Sequence, residues 1–326
     1  MCSSDLNPMP LYKFLDWIDP NKLNMAIISS NEKAIHFFEQ NPNKIDWTSI
    51  SRNKNAVHLI LQSIDKICWK TLCYNPSHEI LPILQANIDK VYWHAICMNQ
   101  NTWINQLLEN NLDKLSKDDL YHLCMNPAAI PTIEYLIKHD FCSIVWSGLS
   151  MNENALHLFD EYNKNLAYIG LHSNLNPNAI YFLQKYRKNS YTHDVAAHST
   201  MVPFLKIHPE YIDYHICINE HPDALELIEK YIDKNSHQLE YIPWDNLSYN
   251  PVAIPIMKRY IEYINWYYFC RLEVKEAIEI IEENLDKVDW DELSTNALAI
   301  HILEQNKEKI NWNNISMNDS IFTEFS

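Results

Sequence analysis

The stretch that decides the fold is residues 47–68, WTSISRNKNAVHLILQSIDKIC, because the chain repeats its pattern. Residues 69–92 read WKTLCYNPSHEILPILQANIDKVY, and residues 290–311 read WDELSTNALAIHILEQNKEKIN. Each stretch has a Trp, two polar residues, Ile or Leu, a small residue, a variable residue and an Asn. An apolar segment and an acidic-Lys pair follow. Self-similarity of this kind indicates a repeat architecture.

The position held by Trp can be traced through most of the chain. Its spacing is 22 to 25 residues for most steps and is longer at 117–146 and 214–244. This gives about twelve complete units and a truncated last unit. We place the position at Met25, Trp47, Trp69, Trp93, Lys117, Trp146, Tyr168, His193, Tyr214, Trp244, Trp266, Trp290 and Trp312.

Residue types predict two short helices in each unit. An Asp or Asn directly precedes several of the Trp residues, as at Asp46 and Asn311, and such side chains are good helix N-caps. Asp289 and Glu292 have the spacing of a capping box. A second Asn precedes the second helix and is often followed by Pro, as in Asn250-Pro251, which suits the first turn of a helix.

Neither helix is long enough to be stable alone, so each must pack on neighbouring units. The sequence therefore predicts an all-α fold, an α-solenoid of about twelve helix-turn-helix repeats of 22–25 residues. We expect a leader or cap over residues 1–24 and one repeat domain over residues 25–326, with irregular units at roughly 112–145 and 185–243. The amphipathic segment Leu11–Ile18 could cap the apolar end of the array or dock on another protein, and we favour the cap.

Composition narrows the function. Gly148 and Gly170 are the only glycines, which excludes the glycine-rich phosphate loops. A net charge of −16 disfavours nucleic-acid binding. No apolar stretch approaches the roughly 20 residues of a membrane span, and the N-terminus lacks the features of a signal peptide. We expect a protein of the cytoplasm with free thiols, since its eight cysteines form no CxxC motif.

The histidines and cysteines, which could serve in catalysis or metal binding, mostly recur at fixed positions of the repeat. His36, His58, His157 and His301 stand five residues after the capping Asn, a position that Pro131 also fills. The cysteines alternate with serine at the small position, and no zinc-binding spacing is present. We therefore predict no enzymatic activity, no catalytic residue, no cofactor and no metal. The recurring Asp-Lys pairs are interpreted as serving helix ends and solvated turns.

The repeat resembles one found in proteins of giant, mimivirus-like DNA viruses of amoebae. The residues that carry the resemblance are NPNAIYFLQKY (from Asn176), NALAIHILEQNKEKINW (from Asn296) and NEKAIHFFEQNPNKIDW (from Asn31). The resemblance covers residues 25 to 320. It implies a viral origin, an ankyrin-like or HEAT-like array and no enzymatic activity. A viral chain would act in the host cytoplasm, a viral factory or the virion.

Three functions follow from this pattern. The first is a scaffold that binds a viral or host protein along an extended surface. The second is a structural component of a virion or assembly, and the third is RNA or ribonucleoprotein binding through a local basic patch. Insertions in repeat proteins often mark the binding face. The candidate partner-binding residues are Lys185, Tyr186, Arg187, Lys188, Tyr191 and Tyr241.

Overall fold

The computed structural model describes residues 10–139, 144–162 and 199–325, together with ten positions between residues 170 and 197. In these parts the chain is mainly helical, and the predicted all-α class is confirmed. The only strands there are β1 (Tyr12–Phe14) and β2 (Phe322–Glu324). None of the described helices has the length and apolar character needed to traverse a lipid bilayer.

Each described unit has a first helix near the Trp position and, after the turn that contains the capping Asn, a second helix. The first helices are Met25–Ser30, Trp47–Ile50, Trp69–Leu72, Trp93–Met98, Lys117–Met125, Trp146–Met151, Trp244–Tyr249, Trp266–Phe269, Trp290–Leu293 and Trp312–Ile315. The second helices are Ile35–Gln40, Val57–Gln62, Leu81–Ala86, Ile104–Leu108, Ile130–Lys138, Leu156–Tyr162, Val202–Ile207, Leu225–Lys234, Ile254–Arg259, Lys275–Glu282 and Ile300–Gln305.

Short 3₁₀ segments join these helices. One group directly precedes the second helices: Glu32–Ala34, Lys54–Ala56, His78–Ile80, Pro127–Ala129, Ser199–Met201, Pro222–Ala224, Pro251–Ala253 and Ala297–Ala299. The equivalent segment of the last unit, Asp319–Ile321, leads into β2. A second group leads into the next unit: Pro42–Lys44, Ile88–Lys90, Leu112–Lys114, Pro209–Tyr211, Ser236–Tyr241, Ile261–Tyr263 and Lys307–Lys309. The 3₁₀ segment Tyr214–Ile218 occupies the place of a first helix.

The predicted N-caps are confirmed. The Asp46 carboxylate accepts a hydrogen bond of 2.8 Å from the Ser49 backbone N–H, and Asp289 accepts one of 3.0 Å from Glu292. The predicted capping box at Asp289 is wrong in its second half, because the Glu292 carboxylate bonds to the Arg271 guanidinium instead. Such a cap satisfies a backbone donor that the first helical turn leaves free.

The Asn at the start of each second helix also joins the units. Asn75 is fully buried, and its side-chain N–H groups donate to the carbonyls of Ser51 and Asn53 in the preceding unit, both at 3.0 Å. Its side-chain oxygen accepts from the Ser77 backbone N–H at 2.9 Å. One amide thus bonds to three backbone groups, and two of these bonds are buried. The same paired donation is made by Asn53, Asn99, Asn126, Asn152, Asn174, Asn250, Asn296 and Asn318.

These bonds correct the register of two irregular units. Asn126 and Asn219 take the capping position, six residues after the Trp position in the regular units. Counted back from these Asn residues, the Trp position falls at Leu120 and Asp213, whereas the first helical segments begin at Lys117 and Tyr214, the positions that the sequence predicted. The extra length lies partly in longer second helices, Ile130–Lys138 and Leu225–Lys234. The rest lies in the connection that follows the second of these helices, where Ser236–Tyr241 forms a 3₁₀ segment.

The two ends of the chain meet. Strands β1 and β2 pair antiparallel, with Phe14 opposite Phe322 and their rings stacked 4.7 Å apart. The backbone N–H of Leu15 donates to the carbonyl of Ile321 at 2.8 Å. The predicted leader and the predicted truncated last unit therefore contact each other directly.

The core runs through all described units as one hydrophobic cluster. Its largest fully buried side chains include Phe38, Ile60, Phe159 and Phe269, which come from different units. The Trp side chains are mostly half-buried and pack against this cluster. Each unit thus completes its core with residues of its neighbours, as the shortness of the helices requires.

Candidate functional site

One position of the repeat is partly or largely exposed wherever it is described. The residue before it, four after the Trp position, is a Ser or Cys with no exposed surface. The exposed position follows directly and is filled mainly by Met, Tyr and Arg. We call these residues the strip: Ser30, Arg52, Tyr74, Met98, Met125, Met151, Ile218, Tyr249, Arg271, Thr295 and Met317.

The buried Ser or Cys before each strip residue forms a hydrogen bond to the next unit. The Ser51 hydroxyl donates to the Trp47 carbonyl at 2.6 Å and accepts from the Cys68 backbone N–H, at the start of the next unit, at 3.0 Å. Cys73 accepts in the same way from Tyr92, with N···Sγ 3.4 Å. Ser and Cys alternate because both accept this bond. The position is therefore a hydrogen-bonded link between units and not only a site for a small side chain.

Strip residues of successive units contact each other. The Arg52 guanidinium lies 5.9 Å from the centre of the Tyr74 ring, and the Tyr74 hydroxyl lies 3.9 Å from the sulfur of Met98. Met98 is 44% exposed and Met317 is 51% exposed. Side chains of this kind in a row form an apolar surface of the sort that often marks an interaction site.

Two cavities open along the strip. One, of about 660 Å³, is lined by Arg52, Tyr74 and Met98 from three successive units, with Pro76 and Gln100. The other, of about 410 Å³, is lined by Ile218, Tyr249 and Arg271, again from three successive units. Both have the concave form in which a ligand side chain can be buried.

A third cavity lies where the chain ends meet. It has a volume of about 660 Å³, and its lining includes Leu11, Lys33, His36 and the strip residue Met317. Leu11 is 52% exposed. The cavity therefore combines a strip residue with side chains from the N-terminal segment.

Of the predicted partner-binding residues, only Tyr241 lies among the described residues, and it is not part of the strip. Tyr241 is 72% exposed and ends the 3₁₀ segment before Trp244, whereas strip residues lie at or just beyond the C-terminal ends of the first helices. Lys185, Tyr186, Arg187, Lys188 and Tyr191 lie outside the described residues. Their role stays a prediction.

The histidines of the repeat pair with glutamates of the preceding second helix. His58 Nε2 lies 3.0 Å from Glu39, His157 Nε2 lies 2.9 Å from Glu134, and His301 Nε2 lies 2.7 Å from Glu282. These contacts link neighbouring units. They support the interpretation of the histidines as repeat residues, with a carboxylate as the partner.

The lysines of the acidic-Lys pairs cover the Trp rings. Lys66 lies 5.4 Å from the centre of the Trp47 ring, and Lys309 lies 4.4 Å from that of Trp290. A cation over an aromatic face is attracted by the ring quadrupole. These lysines therefore link successive units as well as occupying solvated turns.

Most described cysteines are unsuited to nucleophilic chemistry. Burial raises the pKa of Cys73 to about 11 and that of Cys97 to about 12, so the reactive thiolate is scarce near neutral pH. All six described cysteines are free thiols. Cys68 differs: burial raises its pKa, but hydrogen bonds from the Thr71 side chain and from the Thr71 and Lys70 backbones outweigh burial and lower it.

One cluster has the side chains of a metal site. Ligand atoms of His94, Asp118 and His122 lie within 4.8 Å of one another. The sequence alone does not reveal this cluster, because His94 belongs to one unit and the other two residues to the next. The strip was missed as well, although its run of Tyr, Met and Arg after each small residue is visible in the sequence.

Comparisons with family models, with curated protein sequences and with solved structures found no match for this chain.

Proposed function

We propose that this chain is a non-enzymatic scaffold that binds a protein partner along the strip. The observation that carries the proposal is the continuous contact of Arg52, Tyr74 and Met98 across three units, beside a cavity of about 660 Å³. Tyr and Arg are enriched among residues that dominate binding energy, and Met adapts its shape to apolar ligands.

The scaffold is proposed to be an α-solenoid closed into a ring. Successive units are linked by the buried Asn residues and by the Ser or Cys bond. The first and last units make the same bond, since the Asn24 N–H donates to Ser316 Oγ at 2.9 Å. The resemblance of the repeat to giant-virus proteins supports a viral chain that acts in the host cytoplasm or a viral factory.

The spacing of the units suggests the conformation of the partner. Packed helices lie about 8–10 Å apart, so strip residues of successive units recur at about that distance. A polyproline II segment advances about 3.1 Å per residue with three residues per turn, or about 9 Å per turn. An apolar side chain at every third residue of such a segment would meet successive strip positions. Aromatic grooves bind proline-rich segments in this way.

A peptide-display selection on the full chain tests the proposal. We expect enriched peptides to carry Pro and an apolar residue at every third position. A selected peptide should bind Tyr74→Ala and Met98→Asp proteins at least ten times more weakly than the parent. Leu61, which is 54% exposed on a second helix, supplies the control: Leu61→Ala should bind as the parent does.

Selected peptides that bind the Tyr74→Ala, Met98→Asp and parent proteins equally would contradict a role for the strip. Peptides with helical spacing, at every third and fourth residue, would contradict the proposed conformation. A thermal unfolding curve for each variant shows whether a loss of binding reflects a loss of folding.

A further inference from the structure

The first helix Lys117–Met125 is one turn longer than its equivalents. It starts three residues before Leu120, the Trp position of its unit, and the added turn is closed by a capping box between Ser116 and Asp119. This turn carries Asp118. Residues four apart lie on the same face of a helix, so Asp118 and His122 are neighbours.

The preceding first helix, Trp93–Met98, supplies a third side chain to the same place. In other units this contact joins a side chain to a backbone carbonyl, as where the Thr71 hydroxyl donates to Thr48 at 2.7 Å. Here two imidazoles meet, and the ring centres of His94 and His122 are 4.6 Å apart. The site is reachable from solvent, because the side chain of His94 is 47% exposed.

A hydrogen bond orients the His122 imidazole for metal binding, and two carboxylates lie beside the His94 imidazole. His122 Nδ1 lies 3.0 Å from the Asp118 carbonyl oxygen, which can only accept, so Nδ1 carries the proton and Nε2 has a free lone pair. His94 Nδ1 lies 3.6 Å from the carboxylate of Asp118 and 3.3 Å from that of Asp119. The Asp119 carboxylate is held by the Ser116 backbone N–H at 2.8 Å and by the Ser116 hydroxyl at 2.7 Å. Metal-binding histidines usually make such a second bond to a carboxylate or a carbonyl.

We propose that His94, Asp118 and His122 bind a divalent transition cation, best suited to Zn²⁺, between two neighbouring units. One ring nitrogen of each imidazole and one Asp118 carboxylate oxygen supply three ligands, and water or a partner side chain completes a tetrahedron. Zinc bonds of about 2.0–2.2 Å require the ligand atoms to move together by on the order of 1 Å, which the exposed side chains permit. Asp119 is a positioning residue that orients His94.

Calorimetric titration of the full chain, without an affinity tag and after treatment with EDTA, tests the site with ZnCl₂ as the probe. We expect one zinc per chain that is lost in His122→Gln. Asp119→Asn should weaken binding by about 10–100-fold, as is typical when such a second bond is removed. His58→Gln removes another exposed histidine that pairs across units, and it should leave the affinity unchanged.

Two further measurements make the result decisive. Metal-free His122→Gln should unfold at the same temperature as the metal-free parent, which separates loss of the site from loss of the fold. Bound Co²⁺ should show visible bands of a nitrogen and oxygen site without a thiolate charge-transfer band. The proposal is overturned if zinc binds His122→Gln as tightly as the parent, if no zinc binds the parent, or if the cobalt spectrum shows thiolate ligands.

Discussion

The backbone N–H of Asn24 donates a 2.9 Å hydrogen bond to the hydroxyl of Ser316, 292 residues away. Asp46 makes the same bond to Ser29 over 17 residues, at 3.0 Å. Lys22 likewise lies 4.7 Å from the centre of the Trp312 ring, as Lys66 covers Trp47. The contacts between the two chain ends therefore repeat those between consecutive units.

A disulfide across the junction of the chain ends should form readily. Lys13 and Thr323 are directly opposite in the pairing of β1 with β2. We expect Lys13→Cys/Thr323→Cys to oxidise and to gain about 2–4 kcal/mol of stability, since the crosslink restricts a very long loop in the unfolded chain. Thermal unfolding with and without reductant, and mass spectrometry of the crosslinked peptide, measure this. The single Lys13→Cys variant is the control, and failure of the double variant to crosslink would contradict the pairing.

The buried Asn residues should contribute strongly to stability. Asn75→Ala removes three hydrogen bonds to the backbone, two of them buried, and we expect a loss of about 2–4 kcal/mol in urea unfolding. Asn154 is exposed and donates one bond to Pro127, so Asn154→Ala should cost less than about 1 kcal/mol. Equal losses of unfolding free energy at the two positions would show that the buried bonds between units stabilise the fold no more than an exposed bond does.

Leu272 offers the converse experiment. It stands where other units have the buried Asn, and its carbonyl accepts from Asn296 at 2.9 Å. Leu272→Asn would restore the amide but remove an apolar side chain that is 6% exposed. We expect a change within about 1 kcal/mol in urea unfolding, because a regained hydrogen bond of about 1 kcal/mol offsets part of the lost burial. A loss as large as that of Asn75→Ala would contradict the equivalence of the two positions.

Thiol reactivity should separate Cys68 from the buried cysteines. At pH 8, Cys97 with a pKa of about 12 is almost wholly protonated, whereas the pKa of Cys68 lies below its ordinary value. Because the thiolate is the nucleophile, we expect Cys68 to be alkylated before the buried cysteines in the folded chain and Cys97 only after unfolding. Peptide mapping after a timed iodoacetamide reaction measures this order. Early labelling of Cys97 would mean that its unit opens.

Gly148 should tolerate no side chain. A Cβ there would lie 2.8 Å from the Tyr121 carbonyl oxygen in the preceding first helix. We therefore expect Gly148→Ala to cost about 1–3 kcal/mol, although alanine favours helix more than glycine. Thermal unfolding measures the change. A gain of about 1 kcal/mol, as helix propensity alone predicts, would show that the neighbouring helix can move away.

Much of the local structure could be predicted because its causes lie within a few residues. The cap at Asp46 and the helix that follows it depend on neighbours three or four positions away. The predicted register of the repeat is wrong near Leu120. There an added helical turn, capped by Ser116, makes the first helix begin at Lys117, three residues earlier than in a regular unit. The predicted capping box failed at Glu292 because a residue of the preceding unit, Arg271, competes for its carboxylate.

The candidate sites depend on which units stack. The sequence alone determined the period, the two helices of each unit and the capping residues, since these arise from local hydrogen bonding and from apolar spacing along one helix. Only the tertiary structure decided that Ser316 meets Asn24, that Tyr74 reaches Met98 and that His94 faces His122. Those pairs are 24 to 292 residues apart, and side chains so distant along the chain come together only when burial of the apolar helix faces brings the units into contact.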